Sequence, residues 1–234
     1  MAAPPFVQAA AYGIFEAQMR EAVHVLKFDN ARVMARPLGG FLARAIERLM
    51  QNAPAEMLVV PVPLHARRER QRGFNQARLL AGAALSELRK KHPEWQMTLA
   101  SKTLIRHKQT APQSGLTPRQ RRLNLKEAFQ VGEPESLRGR DCLLIDDVMT
   151  TGATARAAAT VLLRAGAKSV RVATVARATL KGWRKGGPKD GTEALLGGFD
   201  TRSARKIERR LSEFAGETGS AKTNNARCET NVAR

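Results

Sequence analysis

The chain has 234 residues, 43% of them hydrophobic, and a formal net charge of +19, which suffices for one ordinary domain with an appendage. Its two cysteines, one in an apolar run and one near the end, exclude a disulfide framework and lead us to expect a reducing, cytoplasmic setting. No apolar run of about 18 residues suggests a membrane span, and the first residues lack the basic start of a signal peptide.

In chain order, Met19, Val23 and Leu26, then Leu38, Phe41, Leu42, Ala45, Ile46 and Leu49, recur at helical spacing and predict two helices. "MLVVPVP" (57–63) is a short β-rich run stopped by proline, which cannot donate to a strand ladder. The stretch "LHARRERQRGF" reads as a loop. Asn75 then caps a predicted helix whose inward face is Leu79, Leu80, Ala84, Leu85 and Leu88, with Pro93 just beyond its end.

Between 99 and 130 the periodicity blurs. Two strand pieces flank a long basic stretch interrupted by Pro112, Gly115 and Pro118, which reads as a mobile loop; long loops in compact domains are often active-site lids. The next apolar run, "CLLI" from Cys142, has the character of a strand covered on both faces. "GATARAAATVLLRAGAKS" reads as a helix with Gly166 near its end, and "VRVATVA" as a further strand. This succession predicts an α/β fold with a parallel sheet flanked by helices.

Beyond 179, glycine and lysine dominate, with at most one weak helix at 207–214 in a composition typical of disorder. No catalytic part is expected beyond Ala178. The expected organisation is an N-terminal helical hood over 1–56, a core over 57–179, and a basic, mostly disordered tail over 180–234.

The most informative stretch is "CLLIDDVMTTGAT", Cys142–Thr154. In an open parallel sheet, ligands bind beyond the carboxyl ends of the strands, and Asp146 and Asp147 fall there. Two unpaired carboxylates are too costly for a core, so they must face solvent, a cation or a polyol. Thr150, Thr151, Gly152 and Thr154 form a small hydroxyl-rich turn into a helix, whose free N–H groups and positive dipole end suit a phosphate. A phosphate with vicinal hydroxyls nearby, as in a phosphoribosyl group, fits both halves. A merely capped helix start would need one acid and leave the second unexplained. Neither G-x-x-x-x-G-K-[ST] nor G-x-G-x-x-G occurs.

This stretch closely resembles the fingerprint of type I phosphoribosyltransferases. Together with "AVHVLKFDN", "VVPVPLHARRERQRGFNQARLLA" and "RHKQTAPQSGLTPRQRRLNLKEAF", it makes the chain resemble the ComF family, phosphoribosyltransferase-like proteins associated with competence and DNA uptake, over about 4–178. The resemblance implies a type I phosphoribosyltransferase-like core with the N-terminal helices as hood. It also implies that Asp146 and Asp147 hold ribose hydroxyls, directly or through Mg²⁺. Val148 and the loop of Met149, Thr150, Thr151, Gly152, Ala153 and Thr154 would hold the 5-phosphate of 5-phosphoribosyl 1-diphosphate.

Leu64 and His65, in the turn after Val60, would present backbone groups to pyrophosphate, with charge added by Arg67, Arg68 and Arg72. Arg106, Lys108, Thr110, Gln113, Arg119, Arg121 and Arg122 are candidates to close over the diphosphate, where cations stabilise the departing charge. Phe74 is expected to pack and Asn75 to cap. Family members usually begin with a cysteine-rich zinc module whose cysteine pairs are not found in this sequence, so no structural zinc is expected. His24, His65, His92 and His107 have no metal-ligand spacing. His107 alone is a candidate acid or base, and Cys142 is expected to be a buried strand residue.

Between Leu64 and Lys126, 15 Lys or Arg face only three acids, Glu69, Glu87 and Glu94, which suggests a polyanionic ligand. A solvated basic surface is the plainer alternative. Two functions remain open: Mg²⁺-dependent transfer of a ribosyl phosphate to an unidentified acceptor, or non-catalytic binding of single-stranded DNA and DNA-uptake proteins. Aromatic content of 5% counts against the second, because single-strand binders stack bases on rings and few rings, Phe74 and Phe129 among them, lie near the basic stretch.

Overall fold

A strand apolar on both faces needs a neighbour on each edge and a layer on each side, and β6 (Asp141–Met149) has all four. The computed structural model describes residues 3–28, 32–51, 53–107, 128–178, 195, 196 and 209. One compact unit, Met1–Gly198, holds every element named below; of the second, Phe199–Arg234, only Arg209 is described.

In chain order the elements before β6 are β1 (Gln8–Ile14), α1 (Ala17–Phe28), a 3-10 turn (Arg32–Met34), α2 (Ala35–Met50), β2 (Glu56–Pro61), α3 (Ala66–Arg72), α4 (Gln76–Lys91), β3 (Gln96–Leu99), β4 (Leu104–Arg106) and β5 (Phe129–Val131). After it come α5 (Ala153–Arg164), β7 (Ser169–Arg177) and the two-residue β8 (Leu195–Leu196). Six strands lie in the order β3-β2-β6-β7-β1-β8, every neighbouring pair parallel. β4 and β5 form a separate antiparallel pair. This is the parallel α/β fold expected from the sequence.

The connections place the site. β2 leads through α3 and α4 to β3 on one side, whereas β6 leads through α5 to β7 on the other. Right-handed crossovers running in opposite directions put α4 and α5 on opposite faces of the sheet. α2 packs on α4 and over β1 and β7. On the other face, Ala155, Ala158, Ala159 and Leu162 of α5 join Leu58, Val60, Cys142, Leu144, Val170 and Val172 in one buried cluster. The crevice between the ends of β2 and β6 is therefore a topological switch point, where such sheets bind ligands.

Besides β3, a short strand that the sequence reading did not mark, three elements differ from it. The first is β1: within the stretch read as a helical hood, Gln8–Ile14 is a sheet strand paired with β7, Gln8 opposite Arg171 and Ile14 opposite Arg177. Its alanines are buried on both faces, so neither a period of two nor of 3.6 marks it. Tyr12 stacks on Phe41 of α2 with ring centroids 4.5 Å apart, and Arg48 donates to the Ala11 carbonyl at 3.2 Å.

The second is α3, helical where a loop was expected. It buries none of its residues and is held by its ends. The His65 imidazole accepts from the Arg67 N–H at the start, and Gly73, at φ 76°, closes the other end in the left-handed conformation that favours glycine. The third is β8, which pairs with Ala10 and Ala11 of β1, beyond the point where organisation was expected to fail. Of the weak helix expected at 207–214, only Arg209, in a helical turn, is described.

Candidate functional site

β2 and β6 part company at their carboxyl ends. Their ladder stops at Pro61 opposite Ile145, with a last bond from the Val62 N–H to the Ile145 carbonyl at 2.8 Å. β6 continues beside β7 alone, through Asp146 opposite Thr174 and Met149 opposite Arg177. The gap so opened is a cleft of about 1010 Å³, large enough for a sugar diphosphate and an acceptor.

Asp147 faces α1: its Oδ2 lies 2.6 Å from the Lys27 Nζ. Asp146 has Arg106 of β4 as its cationic neighbour, and Asp147 also has Arg72 of α3. With the ladder gone, the carboxylates satisfy the strand themselves. Asp146 Oδ1 accepts from the Asp147 N–H at 2.9 Å, and Asp147 Oδ1 accepts from the Val148 N–H at 2.7 Å.

The two acids are driven apart electrostatically. Burial, then the charge of Asp147, pushes Asp146 up to about 8. Burial also presses on Asp147, but Lys27, the Val148 N–H and a hydrogen bond with the Asp146 side chain outweigh it and hold Asp147 below its ordinary range. The two carboxyls are therefore unlike, Asp147 the more acidic of the pair and Asp146 the more reluctant to ionise.

The phosphate half follows in the same chain. Met149, Thr150, Gly152, Ala153 and Thr154 line the cleft where β6 turns into α5. Gly152 stands at φ 71°, a conformation that costs other residues, and its carbonyl accepts the first bond of α5 from the Arg156 N–H at 2.8 Å. Thr151 does not line the cleft; its Oγ1 accepts from the Ala153 N–H at 3.4 Å and braces the turn. The N-terminal end of α5, a 12-residue helix, and its positive dipole thus border the cleft, an arrangement that suits an anion.

Cations approach from three other elements. Arg68 and Arg72 of α3, Arg106 of β4, and Lys27 and Arg20 of α1 all line the cleft. Burial and nearby Arg68 lower the pKa of both Arg72 and Arg106, opposed in each case by one site aspartate; both remain charged. The Arg106 guanidinium lies 5.5 Å from the Phe129 ring centroid, a cation–π contact joining β4 to β5.

Of the other residues expected at the site, Leu64 and Val148 line the cleft, while His65 and Arg67 do not: one caps α3 and the other is exposed. Lys108, Thr110, Gln113, Arg119, Arg121 and Arg122 lie outside the described residues. His107 is exposed and away from the cleft lining. Phe74 is buried, and Asn75 does double service: its Oδ1 accepts from the Arg78 N–H and its Nδ2 donates to the Val62 carbonyl, each at 3.1 Å. Cys142 is fully buried, its thiol pushed up to about 12 by desolvation, and is inert.

Lys27 and Gln76 are among the cleft residues to which the sequence reading gave no ligand role. Lys27 ends a helix as a single cation, and nothing local marks its partner 120 positions later. Gln76, 3% exposed, lines the cleft with its Nε2 unpaired; a buried donor of this kind calls for an acceptor from a ligand. Its place in "GFNQA" beside the cap was the available signal.

Comparison with known proteins agrees with this geometry. The phosphoribosyl transferase domain family matches residues 75–191, so the chain carries a phosphoribosyltransferase-type domain. It is 34% identical to the DNA utilization protein YhgH of Escherichia coli O157:H7 over 171 residues, 72% of this chain and 71% of that one. It is 31% identical to Competence protein F of Haemophilus influenzae over 155 residues, 65% of each chain. The chain belongs to the ComF family of phosphoribosyltransferase-like, competence-related proteins. Among the described residues no helix is long and apolar enough to cross a membrane.

Proposed function

We propose that the cleft binds 5-phosphoribosyl 1-diphosphate with Mg²⁺ and transfers its ribosyl phosphate to an acceptor. One observation carries this reading: a phosphate-cradling turn, an acid pair and an arc of cations from separate elements converge on a single cleft at the sheet's switch point. In this reading the 5-phosphate sits on the turn before α5, the ribose hydroxyls meet Asp146 and Asp147, and the diphosphate faces Arg68, Arg72 and Arg106.

Ribosyl transfer separates an oxocarbenium-like carbon from pyrophosphate. The arginines stabilise the departing charge more as it develops than in the ground state. The oxygen donors of the acid pair suit a hard cation, yet the described residues hold no group of three acidic or histidine ligands. Mg²⁺ commonly binds through one or two carboxylates plus substrate phosphates; here Asp146 and Asp147 would hold it and it would neutralise diphosphate charge.

The family's printed names concern DNA utilization and competence, and the net charge of +19 gives binding of single-stranded DNA a second claim. The rings near the basic stretch count against it: Phe74 and Phe129 are 6% and 4% exposed, and Trp95 is already stacked on His92 with ring centroids 3.8 Å apart. Calorimetric titration with 5-phosphoribosyl 1-diphosphate, with and without Mg²⁺, tests the proposal. Mg²⁺-dependent binding supports it; a folded protein that binds single-stranded DNA in a salt-sensitive way, but not the sugar diphosphate, overturns it.

A further inference from the structure

The cleft already contains a cation. Lys27 reaches from α1 to within 2.6 Å of Asp147 Oδ2, with side-chain exposures of 26% and 14% for the two partners. The other oxygen of Asp147 accepts the Val148 N–H, and Asp146 contacts the same carboxylate. Asp147 thus has an ammonium on one oxygen and a backbone donor on the other. A dication arriving alone would meet an ammonium at contact distance, where like charges repel by several kcal/mol even at an effective dielectric of about 20.

The surroundings reinforce this. The cleft is lined by five cationic side chains, Arg20, Lys27, Arg68, Arg72 and Arg106, against two acids. Such a field attracts polyanions and rejects an unaccompanied metal ion. A diphosphate reverses that balance, since it brings its own negative oxygens for the ion.

We propose that Lys27 is the built-in cation of the sugar site, standing beside Asp147 where a divalent metal would otherwise bind, so that metal enters only with the diphosphate. Lys27 is then a positioning residue: it holds Asp147 charged and oriented and ties α1 to the acid pair. The inference rests on the reading of the cleft as a sugar-diphosphate site, but its central test needs only metal.

That test is a titration of the full-length protein with Mn²⁺ alone, followed by electron paramagnetic resonance, in the wild type, Lys27→Gln, Lys27→Arg and the Lys27→Gln, Asp147→Asn double variant. Lys27→Gln should bind Mn²⁺ at least about tenfold more tightly than wild type. Lys27→Arg should behave as wild type, because it retains the charge, and the added Asp147→Asn should abolish the gain. Equal Mn²⁺ affinity in wild type and Lys27→Gln overturns the proposal, as does an arginine variant that binds like the glutamine one. Tight Mn²⁺ binding by the wild type overturns it without any variant, so a failure of Lys27→Gln to fold does not protect it. A parallel titration with 5-phosphoribosyl 1-diphosphate at saturating Mg²⁺ separates the two readings: no binding by wild type removes the sugar-diphosphate site, while the Mn²⁺ series still judges Lys27.

Discussion

The cleft has two walls built on different plans. One, from Asp146 to Thr154, is a single uninterrupted segment in which strand, acid pair, turn and helix start follow one another. The other is assembled from α1, α3 and β4, which contribute Lys27, Arg68, Arg72 and Arg106 from places far apart in the chain. The first wall fixes its groups through backbone geometry; the second holds long side chains through ion pairs and ring contacts. Substitutions should therefore act locally and severely in the first, and in a graded, salt-sensitive way in the second.

The largest effect is expected from Asp146→Asn with Asp147→Asn. The ligand would lose one charged acceptor, worth about 1.5–3 kcal/mol, at Asp147 and a neutral partner, worth about 0.5–1.5 kcal/mol, at Asp146, so calorimetry should show sugar-diphosphate affinity falling roughly 100-fold or more, with the fold retained by circular dichroism. In the assembled wall, Arg106→Ala removes one such interaction, and affinity should fall about tenfold or somewhat more. Its residual binding should depend less steeply on salt than that of the wild type. Equal losses in the two walls would dissolve the distinction.

Acidity distinguishes the walls further. Folded Asp146 keeps its proton to about pH 8, against an ordinary value of 3.8. Between those values the native state holds the extra proton, so its contribution makes stability fall as pH rises and level off above about 8. Asp147 has the opposite sign: its lowered pKa contributes stability above the ordinary carboxylate range, lost as pH falls through it. The wild-type melting temperature should decline from pH 5 to pH 8, and Asp146→Asn should flatten that decline. An unchanged slope in the variant would show that Asp146 is not the titrating group.

Two smaller effects complete the series. Gly152→Ala forces a side chain into the left-handed region at φ 71° and should cost about 1–2 kcal/mol in urea unfolding. Gln76→Leu removes an unpaired buried donor, so it should leave stability unchanged or raise it by up to about 1 kcal/mol while weakening ligand binding several-fold. A loss of stability with unchanged affinity would mean that Gln76 serves only the fold.

The continuous wall was legible in the sequence because its physics is local. An apolar run, two acids and a glycine turn identify β6 and α5, and Asn75 marks the start of α4 in the same way. β1 was missed because "QAAAYGI" has no alternation and only one β-branched residue, Ile14 at its end, so that pairing with β7 makes it a strand. α3 was missed because "ARRERQR" has no apolar face; its two caps create it. Lys27 was missed for a related reason: an ion pair across the sheet leaves no periodic trace in either partner.

The place of β1 in the sheet also has a consequence in time. Its register partner for Gln8 is Arg171, so β1, once synthesised, cannot find this neighbour until roughly 160 further residues have followed. At 5–20 residues per second, that wait is about ten to thirty seconds on the ribosome. Pairings so distant in sequence slow folding as well. During synthesis an alanine-rich strand therefore waits unpaired for the last long strand, and the sheet closes only when β7 arrives.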